Sequence, residues 1–283
     1  MRQLIEIAAN RDAVATIVSL TGAFEGIASM RIAQIKDQVQ QSEEFFAELW
    51  RIYNQIRVDK LFHFGRRQSV EKVINKELLI LITAEGGFSG DIDERLITEA
   101  LGHYLSKKND IIVIGHHGHI LLQQRGVSPK RSFQLPKRDR NITAAPLIDE
   151  VQKYQSTTVY YQSYHSLMSQ DVKTIKLATA VDERGQAVEA GEEIISESNY
   201  IFEPSTFAVV DHLERSMMQI TLSEVILESK LAQYASRFRA MSVAKDRADE
   251  SWHDLTWQYN RAKRHLKDER LKEVINGLRG TQA

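Results

Sequence analysis

Residues 205–276 read STFAVVDHLERSMMQITLSEVILESKLAQYASRFRAMSVAKDRADESWHDLTWQYNRAKRHLKDERLKEVIN. Neither glycine nor proline interrupts this stretch. With no helix breaker over about 70 residues, a single α-helix is expected, reaching roughly 100 Å at 1.5 Å per residue. An uncapped helical pattern beyond about 25 residues points to a coiled coil, a membrane span or a repeat. The density of charge excludes a span, and no repeat is visible. The apolar spacing selects the coiled coil. Ala248, Trp252, Leu255, Tyr259, Ala262 and Leu266 recur at 4-3-4-3-4, the seam of a heptad. Upstream, Leu231, Tyr234, Phe238 and Met241 keep 3-4-3.

The amino-terminal region answers with the same rhythm. Ile17, Leu20, Phe24 and Ile27 run 3-4-3. Ile35, Val39, Ser42, Phe46, Leu49, Tyr53 and Ile56 run 4-3-4-3-4-3. Seams at opposite ends of one chain can bury each other as an antiparallel pair. Two separate amphipathic helices covering a core are the plainer alternative.

Between the seams the period changes. Leu78-Leu79-Ile80-Leu81-Ile82 is a short apolar run, as is Ile111-Ile112-Val113-Ile114 before Gly115. Both read as buried parallel strands. Helix-like stretches follow them at Ile92–Leu105 and Ile120–Gln124. Val159–Tyr164 and Thr174–Thr179 read as further strands, the second beginning a hairpin turned by Asp182-Glu183-Arg184-Gly185. Strand, helix, strand at this spacing predicts βαβ units and a Rossmann-like, mostly parallel α/β domain. The expected organisation is a coiled-coil helix over 1–64, an inserted α/β domain over 75–200 and a second coiled-coil helix over 205–280.

The composition narrows the function classes. The chain has 283 residues, 27% of them charged, with a formal net charge of -1. That balance gives no general pull towards nucleic acid or anionic lipid. Cysteine is absent, which removes disulfides, thiolate metal sites and a cysteine nucleophile. Charges break the apolar runs from Met1 to Glu6, so a signal peptide is not expected, and any membrane association is expected to come through a partner.

Four constellations invite a chemical reading. Gly86-Gly87-Phe88-Ser89-Gly90 sits between a strand and a helix, where a phosphate loop would lie, but it has no lysine and places Asp91 at the helix start. It reads as a structural turn. His116, His117 and His119 crowd one turn and cannot all converge on one tetrahedral ion, so no metal is expected. Ser89, His116 and Asp93 lack the elbow of a hydrolase. Arg261, Lys263, Arg264, Lys267, Arg270 and Lys272 crowd the end of the long helix. They form either a solvated face with interleaved acids or a contact for an acidic loop on a surrounding partner. No cofactor is expected.

The chain resembles the gamma subunit of F-type ATP synthases, the central-stalk rotor. Glu228-Ser229-Lys230, Ala240-Met241, Asp254-Leu255-Thr256, Tyr259-Asn260-Arg261-Ala262 and Glu273-Val274-Ile275-Asn276-Gly277 look like the family's E-S-K, A-M, D-L-T, Y-N-x-A and E-I-V-x-G series. Thr83 to Asp93 is similar, ungapped, to T-S-D-R-G-L-C-G-G-L-N. Thr21 to Ser29 is similar to T-K-A-M-E-M-V-A-A. Gly22 and Gly26 depart from the family's lysine and methionine, and glycine there lets another backbone approach closely. Ala262-Lys263-Arg264 replaces A-R-Q, at positions resembling those that touch a beta-subunit loop.

The resemblance implies a rotor subunit with no catalytic group of its own, coupling rotation of a membrane ring to ATP synthesis or hydrolysis, driven by protons or sodium. The implied partners are alpha and beta subunits, an epsilon-type subunit and a membrane-embedded c-ring, with no nucleic acid. The implied location is peripheral, on the cytoplasmic face of the inner (plasma) membrane. Arg261, Lys263 and Arg264 are the expected beta-subunit contacts. Gly22, Phe24, Gly26, Trp252, Leu255 and Tyr259 are the expected helix-packing positions. The rival is an α/β small-molecule-binding enzyme or sensor with a coiled-coil dimerisation arm.

Overall fold

A computed structural model describes residues 2–55, 74–135, 144–186, 201 and 203–280. In chain order the elements are α1 (Arg2–Gln55), β1 (Ile74–Ile82), α2 (Ile92–His103), β2 (Asn109–Ile114), α3 (His116–Gln124), β3 (Arg131–Phe133), α4 (Ala145–Val151), β4 (Tyr154–Tyr164), β5 (Gln170–Lys176), α5 (Leu177–Gln186) and α6 (Thr206–Gly280). The breaker-free stretch is a single 75-residue helix. The chain divides into two compact units, Met1–Ala28 with Phe238–Ala283, and Ser29–Arg237.

The second unit is built on a five-stranded sheet ordered β3-β2-β1-β4-β5. β1 pairs in parallel with both β2 and β4, β2 in parallel with β3, and β5 runs antiparallel to β4. Alternation along β1 explains why its sequence is apolar without a break. Leu78, Ile80 and Ile82 face a core with Leu147, Ile148 and Val151 of α4, Leu177 of α5, and Leu222, Val225 and Ile226 of α6. Leu79 and Leu81 face the opposite core with Leu96, Ile97 and Ala100 of α2 and Leu121 and Leu122 of α3. A strand covered on both sides needs hydrophobic residues at every position. A smaller cluster joins Phe46 and Trp50 of α1 to Val181 of α5 and Met217 of α6. Ile35 and Phe46 of the second amino-terminal seam are buried, while Tyr53 and Ile56 fall outside the described side chains.

One expected element is different. The hairpin is β4–β5, closed at its tip where His165 and Ser166 donate to the carbonyl of Ser169. Asp182 to Gly185 lies inside α5 and turns nothing. The physical reason is the burial pattern: Leu177 and Val181 are buried while Thr179 between them is exposed, and a strand would put all three on one face whereas a helix turns Thr179 away.

In the first unit α1 and α6 pair antiparallel. The Arg11 guanidinium lies 4.7 Å from the centre of the Tyr259 ring, and Lys245 Nζ reaches Glu25 Oε2 at 3.4 Å. Residue numbers across the pair therefore sum to about 270, so one climbs as the other falls. On α6 the heptad positions Ala248, Trp252, Leu255, Tyr259, Ala262 and Leu266 are buried or half-buried, whereas Asp254, Trp257, Gln258, Arg261 and Lys263 are exposed. That seam is where the spacing puts it. The seam of α1 is not. Ile17, Leu20, Phe24 and Ile27 are 38–53% exposed, and the covered positions are Val18, Thr21, Glu25 and Ala28, one residue further on. One residue is 100° of rotation. The small Thr21 and Ala28 fill the covered face, and the bulky residues are left outside.

Candidate functional site: the helix seat and the exposed shaft face

The strand order reverses between β1 and β4. In an open, doubly wound sheet the crevice beyond the carboxyl ends of the strands at that reversal is where ligands bind. Here α6 itself occupies it. Ser229 Oγ and Gln233 Nε2 donate to Gln162 Oε1 on β4, the latter at 3.2 Å. Ser163 Oγ donates to Glu228 Oε1 at 2.8 Å. Ser236 Oγ donates to the Ser89 carbonyl at 2.6 Å, and Arg237 Nη2 to the Gly86 carbonyl at 3.2 Å. The glycine loop is thus the socket in which the long helix sits.

The loop and the histidine turn are shaped for that task. Gly90 has φ +67°, a conformation that glycine tolerates, and a side chain added there would stand 3.7 Å from Ser236 Oγ. Gly115 has φ +102°, and an added Cβ would fall 2.2 Å from the Thr83 carbonyl oxygen. An added Cβ at Gly118 would fall 2.3 Å from Thr83 Oγ1. Only glycine lets the first turn of α3 press against the end of β1. Thr83 Oγ1 there donates to the Ile114 carbonyl at 2.9 Å and accepts from the Gly118 amide at 3.0 Å.

That approach places His117 against Asp93. His117 Nδ1 is 2.7 Å from Asp93 Oδ2, and the carboxylate is almost wholly buried. Asp93 also accepts from Gln162 Nε2 at 2.6 Å and from the Ala84 amide at 3.3–3.4 Å. The hydrogen bond to Asp93 holds the imidazole above its ordinary value, helped by the charges of Asp93 and Glu94 and opposed by burial. His116 is fixed differently, its amide donating to Glu85 Oε2 at 3.3 Å. Among the described residues no group of three or more histidine, aspartate or glutamate side chains is placed to hold a metal ion. Ser89, His116 and Asp93, set aside as a triad in the sequence, have separate partners: His117 is the histidine at Asp93, and Ser89 bonds to α6.

The shaft residues fall on two faces. Trp252, Leu255 and Tyr259 lie in the seam. Gly22 faces α6 only through the end of the Lys245 side chain, 3.9 Å from an added Cβ, and a Cβ at Gly26 would meet nothing within 4 Å. No backbone approaches either glycine that closely, because the covered face is rotated away from Gly26. Phe24 is 38% exposed, on the outer side with Ile17, Leu20 and Ile27. Arg261, Lys263 and Arg264 are exposed; Arg261 lies over the Trp257 ring at 5.4 Å and Lys263 over the Tyr259 ring at 5.7 Å. One 18-residue window within Gln3–Ile52 is apolar enough by length and composition to cross a membrane, yet only 11% of it is buried.

Known proteins supply the comparison. The ATP synthase family profile matches residues 3–280. The ATP synthase gamma chain of Chlorobium phaeobacteroides (strain BS1) is 24% identical, covering 100% of this chain and 99% of that one. The gamma chain of Geobacter sp. (strain M21) is 28% identical over 74% of each. Among solved structures, a chain of the OSCP/F1/c-ring assembly of the Euglena gracilis mitochondrial ATP synthase gives a TM-score of 0.58 at 13% identity, over 97% of this chain and 95% of that one. The Tetrahymena thermophila central stalk and c-ring assembly gives 0.54 at 18% identity, over 80% and 99%. The helix–sheet–helix order, the seat of α6 in the sheet and a match from end to end agree: the chain belongs to the ATP synthase family, as a divergent gamma subunit of the central stalk.

Proposed function

We propose that this subunit turns inside a ring of alpha and beta subunits and couples that rotation to a membrane-embedded c-ring. It is a non-catalytic subunit of the ATP synthase complex; nucleotide chemistry belongs to the ring. The observation that carries this reading is the outer face of α1, where Ile17, Leu20, Phe24 and Ile27 stay 38–53% exposed on a helix already paired with α6. A lone soluble helix pair would gain by turning those side chains inward. Leaving them out fits a shaft surrounded by an apolar sleeve, which rotates past different beta subunits and biases each by the contacts it makes in turn.

Arg261, Lys263 and Arg264 are the candidate beta-subunit contacts. They stand exposed, and the Arg261 and Lys263 cations rest on the rings of Trp257 and Tyr259, which stiffens long side chains before an acidic loop arrives. An epsilon-type subunit and the c-ring would contact the α/β domain, and the whole would sit peripherally on the cytoplasmic face of the inner (plasma) membrane. Protons or sodium would drive it. The rival reading, a small-molecule-binding α/β protein with a dimerisation arm, finds its expected crevice filled by Ser229, Gln233, Ser236 and Arg237.

Reconstitution tests the proposal. Adding the full chain to purified alpha and beta subunits is expected to activate ATP hydrolysis, and a chain ending at Leu266 is expected to activate it less while keeping its sheet folded. Full activation by the truncated chain would show that the end of α6 is dispensable. Failure of the full chain to join the ring would remove the rotor reading.

A further inference from the structure

A continuous hydrogen-bonded path runs from the protein surface to the long helix. It begins at His117, whose side chain is 28% exposed, and passes to the buried Asp93. From Asp93 it passes through the Gln162 amide to Ser229 and Gln233 of α6, and Gln233 Nε2 closes it on Ser229 Oγ at 3.0 Å. Each link is determined by the one before. Asp93 takes the Gln162 amino group on Oδ1 and the Ala84 amide on both oxygens, an acceptor site that a donor from His117 completes. His117 must therefore keep a proton on Nδ1, and the nitrogen free to titrate is Nε2. Because Asp93 draws the Gln162 amino group to itself, the Gln162 carbonyl oxygen is turned towards α6 and becomes the acceptor for the helix.

We propose that Asp93 and His117 form a proton-operated latch that sets how firmly α6 is held in its socket. With Nε2 protonated, the imidazolium is the counter-ion of a buried carboxylate, and the path to Ser229 is held at full strength. When Nε2 loses its proton, Asp93 remains buried with neutral donors alone, and the orientation of Gln162 is held less firmly.

The charged surroundings bear on the same question. From α2, Asp93 and Glu94 face His117 and favour its cation. The loop after β1 contributes Glu85, which accepts from the amides of His116 and Leu135. α3 itself carries His116 and His119. β4 presents the uncharged Gln162. From α6 come the uncharged Ser229 and Gln233, while Glu228 is tied to Ser163 and Arg237 to Gly86. The imidazole is held above its free value of about 6.5 by Asp93. A raised value means the stabilisation is complete below that pH and is lost as pH rises through the folded-state value. Alkaline conditions therefore loosen the seat.

Hydrogen exchange on the full chain, followed by mass spectrometry and corrected for intrinsic rates, reads the latch directly. Protection of residues 225–236 relative to the β2 core is expected to fall about tenfold between about pH 6 and about pH 9. Its midpoint should match the titration of the His117 ring followed by NMR in the same chain. Asp93→Asn and His117→Gln should each flatten the profile, whereas a residue with a merely structural role would shift protection equally at every pH. A flat profile in the natural chain, or a slope that survives His117→Gln, overturns the proposal. Should both variants fail to fold, the natural chain decides alone, because a midpoint that departs from the His117 titration overturns it equally. The test needs no partner subunit, so its failure leaves the rotor reading untouched.

Discussion

The long helix α6 lives in two environments, and the contrast between them explains most of what the chain is for. From Met217 to Ser236 every residue is buried or half-buried, whichever way it points: Thr221, Leu222, Val225, Ile226, Ser229, Ala232 and Ala235 have little or no exposed surface. From Arg239 to Asn276 only a single stripe is covered, and its flanks are open. In the first stretch the sheet, its loops and neighbouring helices enclose the helix; in the second its partner is one other helix. A helix clasped on all sides is fixed in rotation about its own axis. A helix covered along one stripe keeps the rest of its surface for another molecule.

The sharpest way to break this comparison is to remove the same atoms from each stretch. Leu222 is wholly buried in the core under β1, and Leu222→Ala is expected to cost about 3 kcal/mol, within the range for a buried leucine whose cavity cannot close. Leu255 is half-buried in the two-helix seam, and Leu255→Ala is expected to cost about 1 kcal/mol. Urea unfolding of both variants, read by helical circular dichroism, measures the pair. Equal costs would show that the seam is as closed as the core.

The same contrast decides how much of the fold is legible in the amino-acid sequence. The seam from Ala248 to Leu266 is legible because one buried stripe on a polar helix imposes its period on the sequence. β1 and β2 are legible because burial on both faces leaves an unbroken apolar run. The face of α1 is not, since bulky apolar residues there point outward and the covered positions are Thr21, Glu25 and Ala28. Periodicity reports where hydrophobic side chains are, and on a shaft that serves a partner those are not the ones the chain buries itself. The helix α5 is hidden by Thr174–Thr179, where alternation continues for a few residues past the end of β5. The seat of α6 is hidden for another reason. Its parts, Gly86 to Gly90, Gln162 and Ser229 to Arg237, are far apart in sequence and polar, and only the strand order 3-2-1-4-5 brings them to one edge.

A smaller effect sharpens the reading of the two departing glycines. An added Cβ at Gly26 meets nothing within 4 Å, and the residue lies inside a helix. Gly26→Ala is therefore expected to stabilise the chain by about 1 kcal/mol, the usual difference in helix propensity. Gly22→Ala, with Lys245 at 3.9 Å in ordinary contact, should behave in the same direction. A loss at either position, measured by the same urea titration, would mean that the glycines accommodate something pressed against α1.

The smallest expected change in stability carries the most weight for function. Leu20 is 53% exposed on the outer face of α1. Leu20→Ser should move the unfolding free energy of the isolated chain by no more than about 0.5 kcal/mol. In a reconstituted ring the same substitution should weaken incorporation about tenfold or more, because a leucine buried by a partner is worth roughly 2 kcal/mol. Thr21, its neighbour in sequence, is buried against this chain alone, so Thr21→Asp should reverse the pattern, unfolding the helix pair before any partner is involved. A Leu20→Ser chain that lost stability on its own would put this residue in the seam after all and return the pair to the arrangement its spacing suggests. A chain that stayed stable and still joined the ring normally would leave the exposed stripe without a partner.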